Sequence, residues 1–171
     1  MRSFCRRLAA WWRLFVNLRL VLRLAALAFL IAIYFSLDWV LLRRLLRSCT
    51  AFVLDRVGHH TASIGAGSEL FLVVDSELFS ITANCTYLDL FLALAPFCWR
   101  GGLRLSTNVR RLTALAVAIF LGNSARVSLA LHLKAKGVPW ALAHTVPDKL
   151  THCAAVSTFM IVAVRNDWDA A

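Results

Sequence analysis

The chain has 171 residues, of which 60% are hydrophobic and only 16% charged, with a mean hydropathy of +0.70. Average soluble domains are about 45–50% apolar and about 25% charged, so a water-soluble globule would lack polar surface and the bilayer is the natural solvent for the excess. The formal net charge is +10, but the arginines flank apolar runs as membrane flanks do, and the basic, aromatic-interleaved surface of a nucleic-acid binder is missing.

At this length there is room for one membrane domain spanning 1–171. Residues 1–23, beginning MRSFCRRLAAWWRLF, are basic and amphipathic and read as an interfacial segment with Trp11 and Trp12 at headgroup level. A spanning helix needs roughly 20 predominantly apolar residues, and the first candidate is Leu24–Leu42, with Asp38 near one end. The basic stretch Arg43–Val57 reads as amphipathic and surface-lying. Residues 58–82 are expected to form an extracytoplasmic loop. Within it ELFLVVDSELFSIT places two apolar runs about a turn-like Asp75-Ser76-Glu77, which predicts a small hairpin.

Ala83–Trp99 is the second candidate span, slightly short and with Pro96 near its end. WRGGLRLSTNVRR follows as a glycine- and arginine-rich loop. Leu112–Leu133 is the third span. Pro147–Val164 is the fourth, with Pro147 in a first turn where a missing N–H costs nothing. The expected fold is an all-α membrane protein of about four transmembrane helices, with an amphipathic N-terminal segment and a small extracytoplasmic hairpin.

Five cysteines, Cys5, Cys49, Cys85, Cys98 and Cys153, form no CxxC pair. Neither a disulfide framework nor a thiolate zinc site is expected, and no cofactor or metal is implied. Positive charge in short loops marks the cytoplasmic side. Arg100, Arg104, Arg110 and Arg111 lie between the second and third spans, against only Lys134 and Lys136 between the third and fourth, and the N-terminal segment is basic. Both termini are therefore expected inside, with Arg43, Arg44 and Arg47 as the opposing signal.

With that topology Cys85 lies at the outer mouth of the second span, and Arg126 sits about 21 Å along the third from its inner edge. His144 stands just before the fourth, again outside, so three segments meet one layer. An arginine inside a span is costly and should face protein or water. Asn123, three residues earlier, shares its helix face. Singly, Arg126 has a second reading as a helix-end arginine on headgroup phosphate, Cys85 reads mainly as a small buried hydrophobe, and His144 reads as a loop histidine without a role.

Together, I81-T82-A83-N84-C85-T86-Y87, G122-N123-S124-A125-R126 and H144 resemble the core of the exosortase/archaeosortase family. These are multi-pass membrane cysteine transpeptidases or proteases that process proteins carrying a C-terminal sorting signal. The resemblance covers roughly Gly65 to Val164. It implies an extracytoplasmic cysteine opening a helix, N-x-x-R on the next helix and a histidine opening the one after. It also implies a membrane-anchored protein substrate and a location in the plasma (inner) membrane. The sequence departs from the family in having Cys85-Thr86-Tyr87 where Cys-Ser-Gly is common, and Asp148 and Lys149 where a glycine often follows the histidine.

The chemistry agrees. A thiol needs a lowered pKa to act near neutrality, which a cation or a helix N-terminus supplies. Acyl transfer needs an oxyanion donor and a proton donor for the leaving amine. Cys85 is thus the expected nucleophile, His144 the general acid/base, Arg126 the electrostatic stabiliser and Asn123 a supporting residue that orients a partner. His152, deeper in the fourth span, is the alternative histidine. His132 reads as an interface histidine, and the adjacent His59 and His60 as an unsuited ligand pair. Two other classes compete: a non-catalytic transporter subunit or assembly factor, in which Arg126, Asp38 and Asp89 form intramembrane pairs, and a metal hydrolase using His144, His152 and Cys153.

Overall fold

The computed structural model describes residue 18, residues 21–65 and residues 68–168, with side chains described up to residue 157. Most of the basic segment expected over 1–23, including Trp11 and Trp12, lies outside the described residues. The fold is mostly helical with a small three-stranded sheet, so the all-α expectation is corrected by the sheet.

Helix α1, Val21–Ser36, and helix α2, Val40–Arg56, bend by 75° at Leu37–Trp39. The expected span Leu24–Leu42 therefore stops at Ser36. Trp39 adopts left-handed backbone (φ 52°), a conformation that costs a side-chain-bearing residue roughly 1–2 kcal/mol. Two interactions hold it there. The Trp39 indole N–H donates to the Tyr34 carbonyl at 2.9 Å, and Arg43 Nη1 pairs with Asp38 Oδ1 at 2.8 Å.

The stretch expected to lie on the surface instead buries one side. Leu46, Thr50 and Leu54 are fully buried and Arg43 is 6% exposed. The remaining Arg43 donors reach the Ile81 carbonyl through Nε (2.8 Å) and the Ser68 carbonyl through Nη2 (2.6 Å). One guanidinium thus ties the helix break, the strand connection and the segment before Cys85.

The sheet has antiparallel order β1 (Thr61–Ile64), β2 (Phe71–Val74), β3 (Glu77–Ser80). The hairpin forms where the sequence places it. Val74 faces Glu77, and Asp75 and Ser76 both take positive φ (47° and 83°), as a two-residue turn of the primed type requires. Strand β1 was expected only as loop. Gly65 (φ 99°) follows it, and a Cβ there would lie 2.0 Å from the Glu69 carbonyl oxygen, so only glycine fits. Leu72 and Val74 alternate inward along β2 and pack with Leu46, Leu54, Leu70, Ile81, Val127 and Leu131 into one core.

The second expected span, Ala83–Trp99, divides. A short 3₁₀ turn (Ala83–Thr86) leads through Tyr87, also left-handed at φ 54°, into α3, Leu88–Cys98. Eleven residues make about 16 Å of helix, well short of a core about 30 Å thick. Helix α4, Leu105–Ala135, contains the third expected span and is the one described helix long and apolar enough to cross a membrane. It begins inside the stretch expected as loop. Asn108, 1% exposed, seals that loop by donating to the Arg100 carbonyl (2.8 Å) and accepting from the Arg100 N–H (3.1 Å). At its other end Gly137 N–H reaches Lys134 O (2.9 Å) and Val138 N–H reaches Leu133 O (3.0 Å), the paired bonds of a Schellman stop.

A wide π-helical turn, Ala141–Thr145, feeds α5, Val146–Trp168, with Pro147 in the first turn as expected. Asp148, Lys149 and His152 lower the apolarity of that end. Four spanning helices are not supported: α4 passes alone, and α1 with α2 passes only as one bent pair.

Candidate active site

Cys85 lies in the 3₁₀ turn and packs half-buried against the sheet core. Its N–H is spent on the Thr82 carbonyl (3.1 Å), and α3 starts only after Tyr87. The expected benefit of a helix N-terminus at the sulfur is therefore not realised. The thiol's hydrogen-bond partners among the described residues are Thr82 Oγ1 at 3.4 Å and the Ser80 carbonyl at 4.0 Å. Neither Arg126 nor His144 bonds to it. Tyr34 of α1 fixes the same turn by donating to Asn84 Oδ1 at 2.7 Å.

Asn123 is the joint of the site. It is 2% exposed, its amide nitrogen donates to the Cys85 carbonyl at 2.5 Å, and its oxygen accepts from Arg126 Nε (3.2 Å) and Nη2 (3.1 Å). One amide thus faces the Cys85 backbone and the guanidinium at once, which its donor and acceptor ends permit. The i,i+3 spacing on α4 delivers this arrangement, as the shared helix face predicts.

Arg126 has a side chain 8% exposed, and its Nη1 lies 3.0 Å from Asp148 Oδ1. That nitrogen forms no aligned hydrogen bond, so the contact is ionic and leaves a donor unspent. The guanidinium also sits over the Tyr87 ring, 4.6 Å from its centroid. Tyr87 in turn donates to Asp148 Oδ1 at 2.9 Å.

Asp148 is the residue sequence reasoning missed. It stood out only as a departure from the family pattern, and its place four residues after His144 in a helix start was the available signal.

His144 stacks on Trp140, with centroids 4.5 Å apart and planes at 11°, and Trp140 stacks in turn on Phe79 of β3 at 5.8 Å. Burial first, and then the Arg126 charge, push the His144 pKa below its usual 6.5, against an opposing pull from Asp148. The imidazole is thus held towards its neutral form.

His152 shares Asp148 and Tyr87 with Arg126. Its Nδ1 lies 3.0 Å from the Asp148 carbonyl and its Nε2 3.6 Å from Asp89 Oδ2, and its ring meets Tyr87 edge-on. The expected non-catalytic partners of Arg126 are redistributed, since Asp38 pairs with Arg43 and Asp89 with His152. Among the described residues no group of histidine, cysteine and carboxylate side chains has metal-binding geometry.

A second polar cluster lies away from Cys85. His59 Nδ1 pairs with Asp75 in the hairpin turn, and His59 Nε2 meets His132 Nδ1 of α4 at 2.8 Å. His132 is an interface histidine, as expected, and it docks the sheet onto α4. The His59 hydrogen bond, with that of the His60 N–H, holds the Asp75 carboxyl below its usual 3.8.

No family model, curated protein or solved structure matches this chain.

Proposed function

We propose that the chain is a multi-pass membrane cysteine transpeptidase or protease of the exosortase type. It would cleave membrane-anchored proteins bearing a C-terminal sorting signal through a thioester on Cys85. The observation that carries the reading is the Asn123 amide, which joins the Cys85 backbone to the Arg126 guanidinium, with Arg126 close enough to His144 to depress its pKa. The membrane setting is supported by outward apolar surface. Only 33% of the apolar window of α4 is buried, where the core helix of a soluble protein would be mostly buried. Phe35 of α1 is 80% exposed and Leu121 of α4 is 60% exposed.

In the proposed reaction neutral His144 takes the thiol proton and the Cys85 sulfur attacks the scissile carbonyl. The developing oxyanion is stabilised by the positive charge of the Arg126 guanidinium. The C–N bond then breaks as His144 returns its proton to the leaving amine. A water or amine acceptor attacks the thioester and releases the thiol. Catalytic hydrogen bonds commonly tighten only with substrate bound, which accommodates a resting thiol turned toward Thr82. The site lies on the extracytoplasmic face of the plasma (inner) membrane in this reading.

The test is topological and chemical together. In a chain retaining only Cys85, a membrane-impermeant maleimide should label intact cells, and reporters fused after residue 105 should lie inside. Labelling from the cytoplasmic side alone would end the reading.

The Arg126–Asp148–Tyr87 network favours a second reading, a non-catalytic membrane subunit. There the same residues would only hold α3, α4 and α5 together, and Cys85 would be dispensable.

A further inference from the structure

At the arginine-rich edge of the helices, α1, α3 and α4 part to leave a cleft of about 480 Å³. Helix α1 contributes Arg23, Ala26 and Leu30, α3 contributes Phe91, Trp99 follows the end of α3, and Leu112 of α4 closes it. Two features distinguish it from an ordinary gap. Its wall is apolar except at Arg23, and Arg23 makes no ion pair or hydrogen bond among the described residues. Arg110 and Arg111 precede Leu112 on α4 and place further positive charge within one helical turn of the cleft. The cleft lies on the opposite end of α4 from Arg126, so it is separate from the candidate active site.

We propose that the cleft binds one acyl chain of an anionic phospholipid, with the phosphate of the headgroup paired to Arg23. The inference rests on the membrane reading but not on the Cys85 chemistry. The volume falls in the range of small-ligand sites, and the almost wholly apolar lining suits a lipid tail. The Arg23 guanidinium, without an ion pair among the described residues, supplies the complementary charge to an apolar slot, and Trp99 is the residue type found at headgroup level.

The full chain is reconstituted into vesicles of equal parts phosphatidylglycerol and phosphatidylcholine, extracted into detergent, and the lipid it retains is weighed by native mass spectrometry. Wild type should keep one lipid with about fivefold preference for phosphatidylglycerol, the factor that roughly 1 kcal/mol per basic residue at an anionic surface gives. Arg23→Gln should keep a lipid but lose the preference. Ala26→Trp, which fills the slot, should lose about nine-tenths of the retained lipid. Equal preference in wild type and Arg23→Gln, or no lipid on a vesicle-incorporated wild type, overturns the proposal. Because Arg23→Gln adds no bulk, it decides the matter even where Ala26→Trp fails to insert. A wild-type chain stripped from the vesicles by alkaline carbonate contradicts the membrane reading, and the proposal with it.

Discussion

Replacing Asn123 by alanine removes three hydrogen bonds at the one point where Cys85 and Arg126 are joined. The bond to the Cys85 carbonyl contributes about 1 kcal/mol, and the shared acceptor for a charged guanidinium about 1.5–3 kcal/mol. The expected loss is therefore roughly 2.5–4 kcal/mol, since the site is too buried for water to replace the amide freely. Graded denaturant unfolding of the detergent-solubilised protein reads this directly. The Cys85 turn should loosen at the same time, so maleimide labelling of a Cys85-only chain should accelerate several-fold. Asn123→Asp separates the two halves. Its carboxylate still accepts from Arg126 but turns an oxygen toward the Cys85 carbonyl, so stability should largely return while fast labelling persists. A loss below about 1 kcal/mol for Asn123→Ala, with unchanged labelling, would refute the claim that this amide holds the site together.

Asp148→Asn leaves the Arg126 guanidinium buried without its counter-charge. It should cost about 3 kcal/mol, the low end for a broken buried pair because Asp148 remains 30% exposed. A double-mutant cycle with Arg126→Gln should recover part of the loss, and additivity would mean the pair is not coupled. The His144 titration, followed by NMR, should have its midpoint below 6.5, and Arg126→Gln should move it upward without passing 6.5, because burial is the larger cause. The folded state then binds fewer protons than the unfolded one, so this contribution to stability is intact above pH 6.5 and lost as pH falls below it through the folded value. Asp75 behaves likewise at lower pH. Its folded carboxyl titrates below 3.8, so its contribution is present above that value and disappears as pH drops through the folded pKa. Asp75→Asn should flatten the acid limb of a melting-temperature profile, and an unchanged limb would count against the His59–Asp75 pair.

What the sequence made legible was whatever long patterns or strong local signals specify. Helix α4 carries a long, predominantly apolar run, the Asp75-Ser76 turn sits between alternating apolar residues, and Pro147 marks a helix start. The breaks were hidden because they use residues that seldom break helices. Trp39 and Tyr87 take left-handed backbone and are held by tertiary partners, Tyr34 in one case and Asp148 with His152 in the other. Strand β1, TASI, is four residues long and mostly exposed, so it exists through pairing with β2 and carries no apolar signature of its own. The helix periodicity placed Asn123 beside Arg126, but no spacing rule could show that Asp148 would close the other side of the guanidinium. Arg43 read as a surface charge because an amphipathic arginine looks the same whether its face meets headgroups or backbone carbonyls.

The central claim is that Cys85 carries the acyl group. The chain, co-expressed with a membrane-anchored protein ending in a sorting signal, is purified at low pH to preserve thioesters and its intact mass measured. Thioester chemistry at Cys85 predicts an adduct of substrate mass on that residue that hydroxylamine removes. It also predicts none in Cys85→Ala, and substrate processing lost in that variant and nearly lost in Cys85→Ser. Full processing by Cys85→Ala would contradict the account and leave the Arg126–Asp148 network as the scaffold of a non-catalytic membrane protein.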